Sequence, residues 1–195
     1  MIVEFATELG YMSLAVLDGE VIGISFGHPS ARAARQSLER FQVHEGNDQI
    51  REAMLDNSTA TSRTSDQVVD LLTRFAEGES VDFDDVPISL RGMTGFQAEV
   101  VAACRAIPRG KTVSYGELAE EVGHAGAARA VGTVMRKNRF PLIVPCHRVL
   151  ASGGKIGGYS AAEGLTMKRR LLDMEQSDRF ATSIANKFLS AAMSD

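Results

Sequence analysis

Apolar and polar positions alternate at the start of the chain. Met12, Leu14 and Val16 fall on one side of an extended segment, Asp18-Gly19 offers a two-residue turn, and Ile22, Ile24 and Phe26 resume the alternation. That pattern predicts a β-hairpin within residues 1–27. Ser30 can cap a helix running to about Phe41, and residues 43–65 are polar enough to predict a partly ordered connection. Val68, Val69, Leu71, Leu72 and Phe75 return at helical spacing. The acidic stretch from Gly78 to Pro87 then marks a boundary. Three parts follow: an α/β scaffold over 1–87, a second unit over 88–176, and an extension over 177–195. Phe180, Ile184 and Phe188 suggest that the extension is helical.

The second unit is richer in local signals. Phe96, Val100, Val101 and Cys104 share one face of a helix that stops before Pro108, which makes Cys104 a core cysteine. Ser114 and Glu117 form a capping box that opens a short helix, Gly123 closes it, and a second helix runs from about Ala127 to Lys137. Two short helices joined by a glycine-containing turn fit a helix-turn-helix, and equally an αα-hairpin that binds nothing. On the second helix Val131, Val134 and Met135 form the apolar side, while Arg129, Gly132, Thr133 and Arg136 line another. Glycine inside a helix costs about 1 kcal/mol relative to alanine, so Gly132 implies close approach of another backbone. With Ala127, Ala128 and Ala130 beside the arginines, that helix suits a narrow groove or tight helix packing.

Charge sharpens the picture. The net charge is −4, yet residues 1–100 hold 7 Lys and Arg against 17 Asp and Glu, and residues 101–155 hold 9 against 3. A basic middle in an acidic chain points to a local polyanion-binding face or to a solvated basic surface. No apolar run reaches the roughly 20 residues of a membrane span, and the N-terminus lacks the features of a secretory signal. Two cysteines do not make a disulfide scaffold, and four histidines without ligand spacing predict no metal. The expected compartment is the cytoplasm.

The candidate chemistry lies at the end of an apolar segment. Leu142-Ile143-Val144 suggests a buried strand, stopped by Pro145 and followed by Cys146, His147 and Arg148. A thiol beside an imidazole and a guanidinium is a candidate nucleophile with a lowered pKa, or else a structural cysteine next to a surface histidine. Leu165, Lys168, Leu171, Leu172 and Glu175 share helical spacing, which puts Glu175 on an apolar face where a carboxylate needs a partner. His147 is the economical one, and a Cys–His–Glu relay would follow. A cysteine hydrolase is disfavoured, because neighbours on a strand point apart.

Pro145-Cys146-His147-Arg148-Val149 resembles the active-site signature of the O6-alkylguanine-DNA alkyltransferases, the methylated-DNA–protein-cysteine methyltransferases. Phe96-Gln97, Ser114-Tyr115-Gly116, Ala128 to Gly132, Asn138, Gly158-Tyr159-Ser160, Lys168 and Glu175 keep the family's order over about residues 92–176. The resemblance implies a ribonuclease-H-like N-terminal α/β domain, a small antiparallel sheet plus helices, ahead of a mostly α domain with a helix-turn-helix. It implies a DNA-repair protein that binds duplex DNA in the minor groove and flips O6-alkylguanine, with O4-alkylthymine as a second candidate, out of the base stack. The alkyl group would pass irreversibly to Cys146, once per molecule, without a cofactor, in a monomer.

Roles follow by position. His147 would act as base through a water, Glu175 would orient it, and Tyr115 would donate to the leaving guanine. Arg129 would fill the vacated stack, with Ala128, Ala130, Gly132, Thr133 and Arg136 along the DNA. Asn138 would brace the turn after the recognition helix. Val149 would read the guanine edge through its backbone, and Tyr159 and Ser160 would line the pocket. Two departures stand out. Ala161-Ala162-Glu163 replaces a frequent Gly-Gly pair in a segment about two residues longer, and Arg139 stands where some members have proline.

Overall fold

The structure is a computed structural model that describes residues 1–45 and 63–176. It opens with three antiparallel strands in the order β1-β2-β3: β1 (Ile2–Thr7), β2 (Gly10–Leu17) and β3 (Glu20–His28). Asp18 (φ 52°) and Gly19 (φ 81°) form the tight turn of β2–β3. Both central residues lie at positive φ, the conformation that matches the strands' twist, so the Asp-Gly expectation holds. Ser30 Oγ accepts from Ala33 N at 3.2 Å and opens α1 (Ala31–Glu45), longer than the segment to Phe41. The alternation in β2 does not mark an open face. Leu14 and Val16 pack into the main core, while Ala15 and Ile22 are covered by Leu38 of α1. Most of the 43–65 connection and the whole 177–195 extension lie outside the described residues.

Helix α2 (Arg63–Ala76) buries Val68, Leu72 and Phe75 in the main core, as their spacing predicts. The acidic segment after it returns to the sheet: Val21 N donates to Pro87 O at 2.8 Å and Ser89 N donates to Val21 O at 2.9 Å, so residues 87–89 extend the β3 edge. Helix α3 (Gly95–Arg105) starts at a capping box formed by Thr94 and Gln97 and buries Cys104 completely, a core cysteine as expected. Next come β4 (Val113–Ser114), α4 (Tyr115–Glu121), opened by the Ser114–Glu117 capping box, and α5 (Ala128–Arg136). Gly123 (φ 76°) and Gly126 (φ 85°) let the chain reverse between α4 and α5, giving the helix-turn-helix connection.

Two local expectations are corrected. Leu142-Ile143-Val144 is buried but is not a strand. Leu142 sits at φ 75°, and Val144 N donates to Phe140 O at 2.8 Å, so the segment is a tight turn. Cys146–Arg148 is not extended either. It is one turn of 3₁₀ helix, and β5 (Val149–Leu150) follows it, paired in parallel with β4. The last described helix, α6, covers 165–176. Its buried face carries Met167, Lys168, Leu171, Leu172 and Glu175, but Leu165 is 47% exposed. Leu165 begins the helix beside the Gly164 turn, above the core. Met167 fills the space against Gly27 of β3, where an added Cβ would lie 3.0 Å from its Cε.

A single hydrophobic cluster joins β2, β3, α2, α3, α5, the 140–149 segment and α6. No helix among the described residues is long and apolar enough to cross a membrane.

Candidate active site

The 3₁₀ turn after Pro145 brings Cys146 and His147 into the core from a segment that a strand would have splayed apart. Cys146 is 5% exposed, and His147 and Glu175 are buried. His147 Nε2 lies 2.9 Å from Glu175 Oε1. Burial, the largest influence, opposes ionisation of Glu175, yet hydrogen bonds and charge from His147 and Arg148 bring its pKa down to about 2. A carboxylate in that position accepts, so Nε2 carries the imidazole proton. Burial lowers the His147 pKa against the pull of Glu175, so the ring is neutral at neutral pH. Its other nitrogen, Nδ1, is then a bare acceptor, buried with no protein partner. The predicted His–Glu contact is therefore present and direct.

Glu175 does more than orient His147. Arg148 donates to it from Nε at 3.2 and 3.1 Å and from Nη2 at 2.8 Å, and Gly110 N donates to its other oxygen at 3.0 Å. Arg148 also reaches Ile107 O. One carboxylate thus holds the Cys146 turn, the end of α3 and the Pro108–Gly110 turn together.

The thiol departs from expectation. A lowered pKa was expected from His147 and Arg148. Instead burial pushes the Cys146 thiol up, and Arg148 spends its donors on Glu175 and Ile107. The neighbours favouring thiolate are the Asn138 amide, the positive charge of Lys168, the backbone N–H of Cys146 and the Tyr159 hydroxyl. Lys168 is the residue sequence reasoning passed over. It is fully buried on α6, donates from Nζ to Val149 O at 2.6 Å and stands 5.9 Å from the Tyr159 ring centroid. Its signal was available: a lysine two turns before Glu175 on the same apolar face needs a partner as much as the carboxylate does.

The remaining candidates divide into two groups. Asn138 is buried. Its Nδ2 donates to Val144 O at 2.8 Å and its Oδ1 accepts from Phe140 N at 3.0 Å, which ties both ends of the turn leading to Cys146. The β4–β5 pairing sets Ser114 opposite Leu150 and so carries Tyr115 toward the Cys146 turn. Burial first, then the sulfurs of Cys146 and Cys104, raise the Tyr115 pKa, which keeps its hydroxyl protonated. The Tyr159 hydroxyl is also buried and raised well above its usual value by burial and by Cys146. Val149 is buried beneath Lys168. Ser160 is exposed and shares a small cavity of about 110 Å³ with Ser25, His28, Ser37 and Asn138; Cys146 does not line it.

The second group lies on α5. Arg129, Ala130, Thr133 and Arg136 are exposed, and Ala128 and Gly132 are half-buried. Tight helix packing does not explain Gly132, because an added Cβ would meet only the Tyr115 ring, at an ordinary 3.9 Å. Among the described residues no group of three His, Cys, Asp or Glu side chains could hold a metal ion.

Comparison with known proteins agrees with this geometry. The family model for the DNA-binding domain of 6-O-methylguanine DNA methyltransferases matches residues 95–177. A methylated-DNA–protein-cysteine methyltransferase from Mycobacterium tuberculosis is 48% identical over 109 residues, 56% of this chain and 64% of that protein. The matched part thus spans just under two thirds of that relative's length. One from Mycolicibacterium paratuberculosis is 41% identical over 129 residues, 66% of this chain and 76% of the relative. The crystal structure of the Mycobacterium tuberculosis OGT in complex with DNA superposes with a TM-score of 0.66 at 32% identity, covering 90% of this chain and 92% of that one. At 41% identity over three quarters of the Mycolicibacterium relative, and with its fold shared along nine tenths of the chain, this chain belongs to the methylated-DNA–protein-cysteine methyltransferase family.

Proposed function

We propose that the protein repairs DNA by taking the alkyl group of O6-alkylguanine onto Cys146. The direct bond between Glu175 and His147, the residue after Cys146, carries this assignment. The resting thiol is neutral, so a proton must leave as sulfur attacks. Nδ1 of His147, held as the acceptor by the Nε2–Glu175 bond, takes it through a water. The alkyl carbon moves in line from O6 to Sγ, the C–O bond breaks, and Tyr115 donates to the departing guanine. Full ionisation of an ordinary thiol supplies roughly 30-fold, about 2 kcal/mol, so most of the rate must come from alignment and from neutralising the guanine. Lys168 and Asn138 stabilise the sulfur as charge develops on it. A thioether is stable to water, so each molecule acts once. O4-alkylthymine is a second candidate substrate.

The exposed face of α5 enters the minor groove and Arg129 takes the place of the extruded base, whose flipping costs a few kcal/mol. Residues 1–87 serve as scaffold and 88–176 as the acceptor unit, and one copy suffices. Duplex DNA carrying methyl-labelled O6-methylguanine should deliver its label to a Cys146 peptide at one equivalent per protein. Binding of the lesion with the label left on DNA would instead indicate a lesion-binding protein.

Gly132 separates DNA binding from folding. Alanine there meets only ordinary contacts and improves helix propensity by up to about 1 kcal/mol. Gly132→Ala is therefore expected to raise the unfolding temperature by roughly 2–4 °C. The same variant should bind duplex DNA more weakly in a titration, because the added methyl stands between α5 and the groove. Unchanged affinity would remove α5 from the interface.

A further inference from the structure

Arg139 has no part in the chemistry above, yet it is buried at 7% exposure, directly after Asn138. Its Nη2 donates to Ser89 O and to Arg91 O, both at 3.0 Å, and its guanidinium carbon lies 5.2 Å from the Phe140 ring centroid. Its own carbonyl accepts from Ile24 N of β3 at 2.8 Å. One residue thus binds three separate pieces of chain: the edge of the N-terminal sheet, the 89–91 segment that leads to α3, and the turn that carries Cys146. Its cationic head is satisfied by carbonyl dipoles and a ring face, with no carboxylate on it among the described residues. That arrangement is directional: the planar guanidinium serves two carbonyls at once only when the 138–144 turn and the 89–91 segment keep their spacing. Asn138, the adjacent residue, holds the two ends of that turn and is among the groups that favour ionisation of the acceptor sulfur.

We propose that Arg139 is a positioning residue that locks the acceptor turn to the N-terminal sheet, so that it governs the rate of alkyl transfer and not the affinity for DNA. This rests on the transfer reaction proposed above. The residues that face DNA are on α5, and Arg139 contacts none of them through its side chain. Loss of the lock lets the turn and its sulfur shift relative to Tyr159, which packs edge-on to Phe26 of β3 with ring centroids 6.5 Å apart. A small misplacement of a reacting atom is enough to cost orders of magnitude in rate.

The test uses the full chain with labelled O6-methylguanine duplex, in single-turnover reactions across a range of DNA concentrations. Arg139→Met keeps the apolar stem and removes every donor, while Arg139→Lys keeps a charge that can reach a carbonyl. The limiting rate constant should fall at least about tenfold in Arg139→Met, with half-saturating DNA changed less than about twofold, and Arg139→Lys should recover most of the rate. A fold defect alone lowers the amplitude, the fraction of active protein, and leaves the rate constant unchanged. That result overturns the proposal, as does a loss confined to half-saturation or no rescue by lysine. If Arg139→Met does not fold, Arg139→Gln replaces it. If the native protein leaves its label on DNA, the transfer assignment fails independently. The lock is then judged by the rate at which iodoacetamide alkylates Cys146: a change in Arg139→Met reversed in Arg139→Lys supports it, and equal rates overturn it.

Discussion

Cys146→Ala is expected to take up no label from O6-methylguanine DNA while still binding the duplex. The variant removes one buried sulfur, a change that costs about 1 kcal/mol and leaves the fold in place. The side chains proposed to face DNA lie on α5, a separate element from the 3₁₀ turn of Cys146. Binding and transfer should therefore separate cleanly in one variant, read by a gel-shift titration beside a label-transfer assay. Cys146→Ser is expected to fail as completely, because a serine hydroxyl is far harder to ionise than a thiol and the site lacks a base strong enough to make an alkoxide. The other cysteine is no substitute. Cys104 is fully buried in α3, and burial raises its thiol well above the ordinary value. Label recovered on a Cys104 peptide, or any transfer by Cys146→Ala, would show that the acceptor has been misassigned.

Glu175→Gln is expected to damage both stability and rate. The native carboxylate receives His147, Arg148 and Gly110. An amide of the same shape cannot neutralise Arg148, and it can turn an N–H toward His147, which inverts the tautomer and removes the acceptor at Nδ1. Breaking a buried ion pair by removing one partner costs about 3–5 kcal/mol. Loss of a correctly disposed base lowers the rate by roughly 10²-fold or more.

The pH dependence has a definite sign. The folded pKa of Glu175 is about 2, below its ordinary 4.5, so its stabilisation is complete above 4.5 and disappears as pH falls toward 2. His147 is also lowered, from 6.5, so below 6.5 the unfolded chain takes up a proton that the folded protein resists. Both groups act in one direction, and acid destabilises. Unfolding temperatures measured from pH 7 down to 2 should fall for the native protein. They should fall less steeply for Glu175→Gln in the range below 4.5. Parallel curves for the two proteins would show that Glu175 is not the depressed carboxylate.

Much of this molecule could be read from local rules, and particular residues show where that stops. Asp18-Gly19 specified its hairpin because few pairs adopt two positive φ values cheaply. Ser114 and Glu117 specified a helix start because a capping box is complete within four residues. Glu175 announced a partner because a carboxylate on an apolar face has no other stable state. The turn at Leu142 was not legible, since an apolar triplet between two prolines is equally compatible with a strand, and the contacts from Asn138 that tie the two ends of the turn appear only in the folded chain. The apolar face of α6 was read correctly at Leu171 and Leu172 and wrongly at Leu165, because period alone does not say where the core ends.

By itself, then, the order of residues determined the hairpin, the capped helices, the family signature and which cysteine is proposed as the acceptor, all of which are encoded within a few neighbouring positions. Tertiary structure alone decided the ionisation of the site. The sulfur's proton affinity depends on how completely water is excluded from it and on charges brought from elsewhere in the chain, chiefly Lys168 of α6. Arg148, adjacent in sequence, is instead committed to Glu175, 27 residues away. Electrostatic influence follows distance through the folded medium, and adjacency along the chain does not report it.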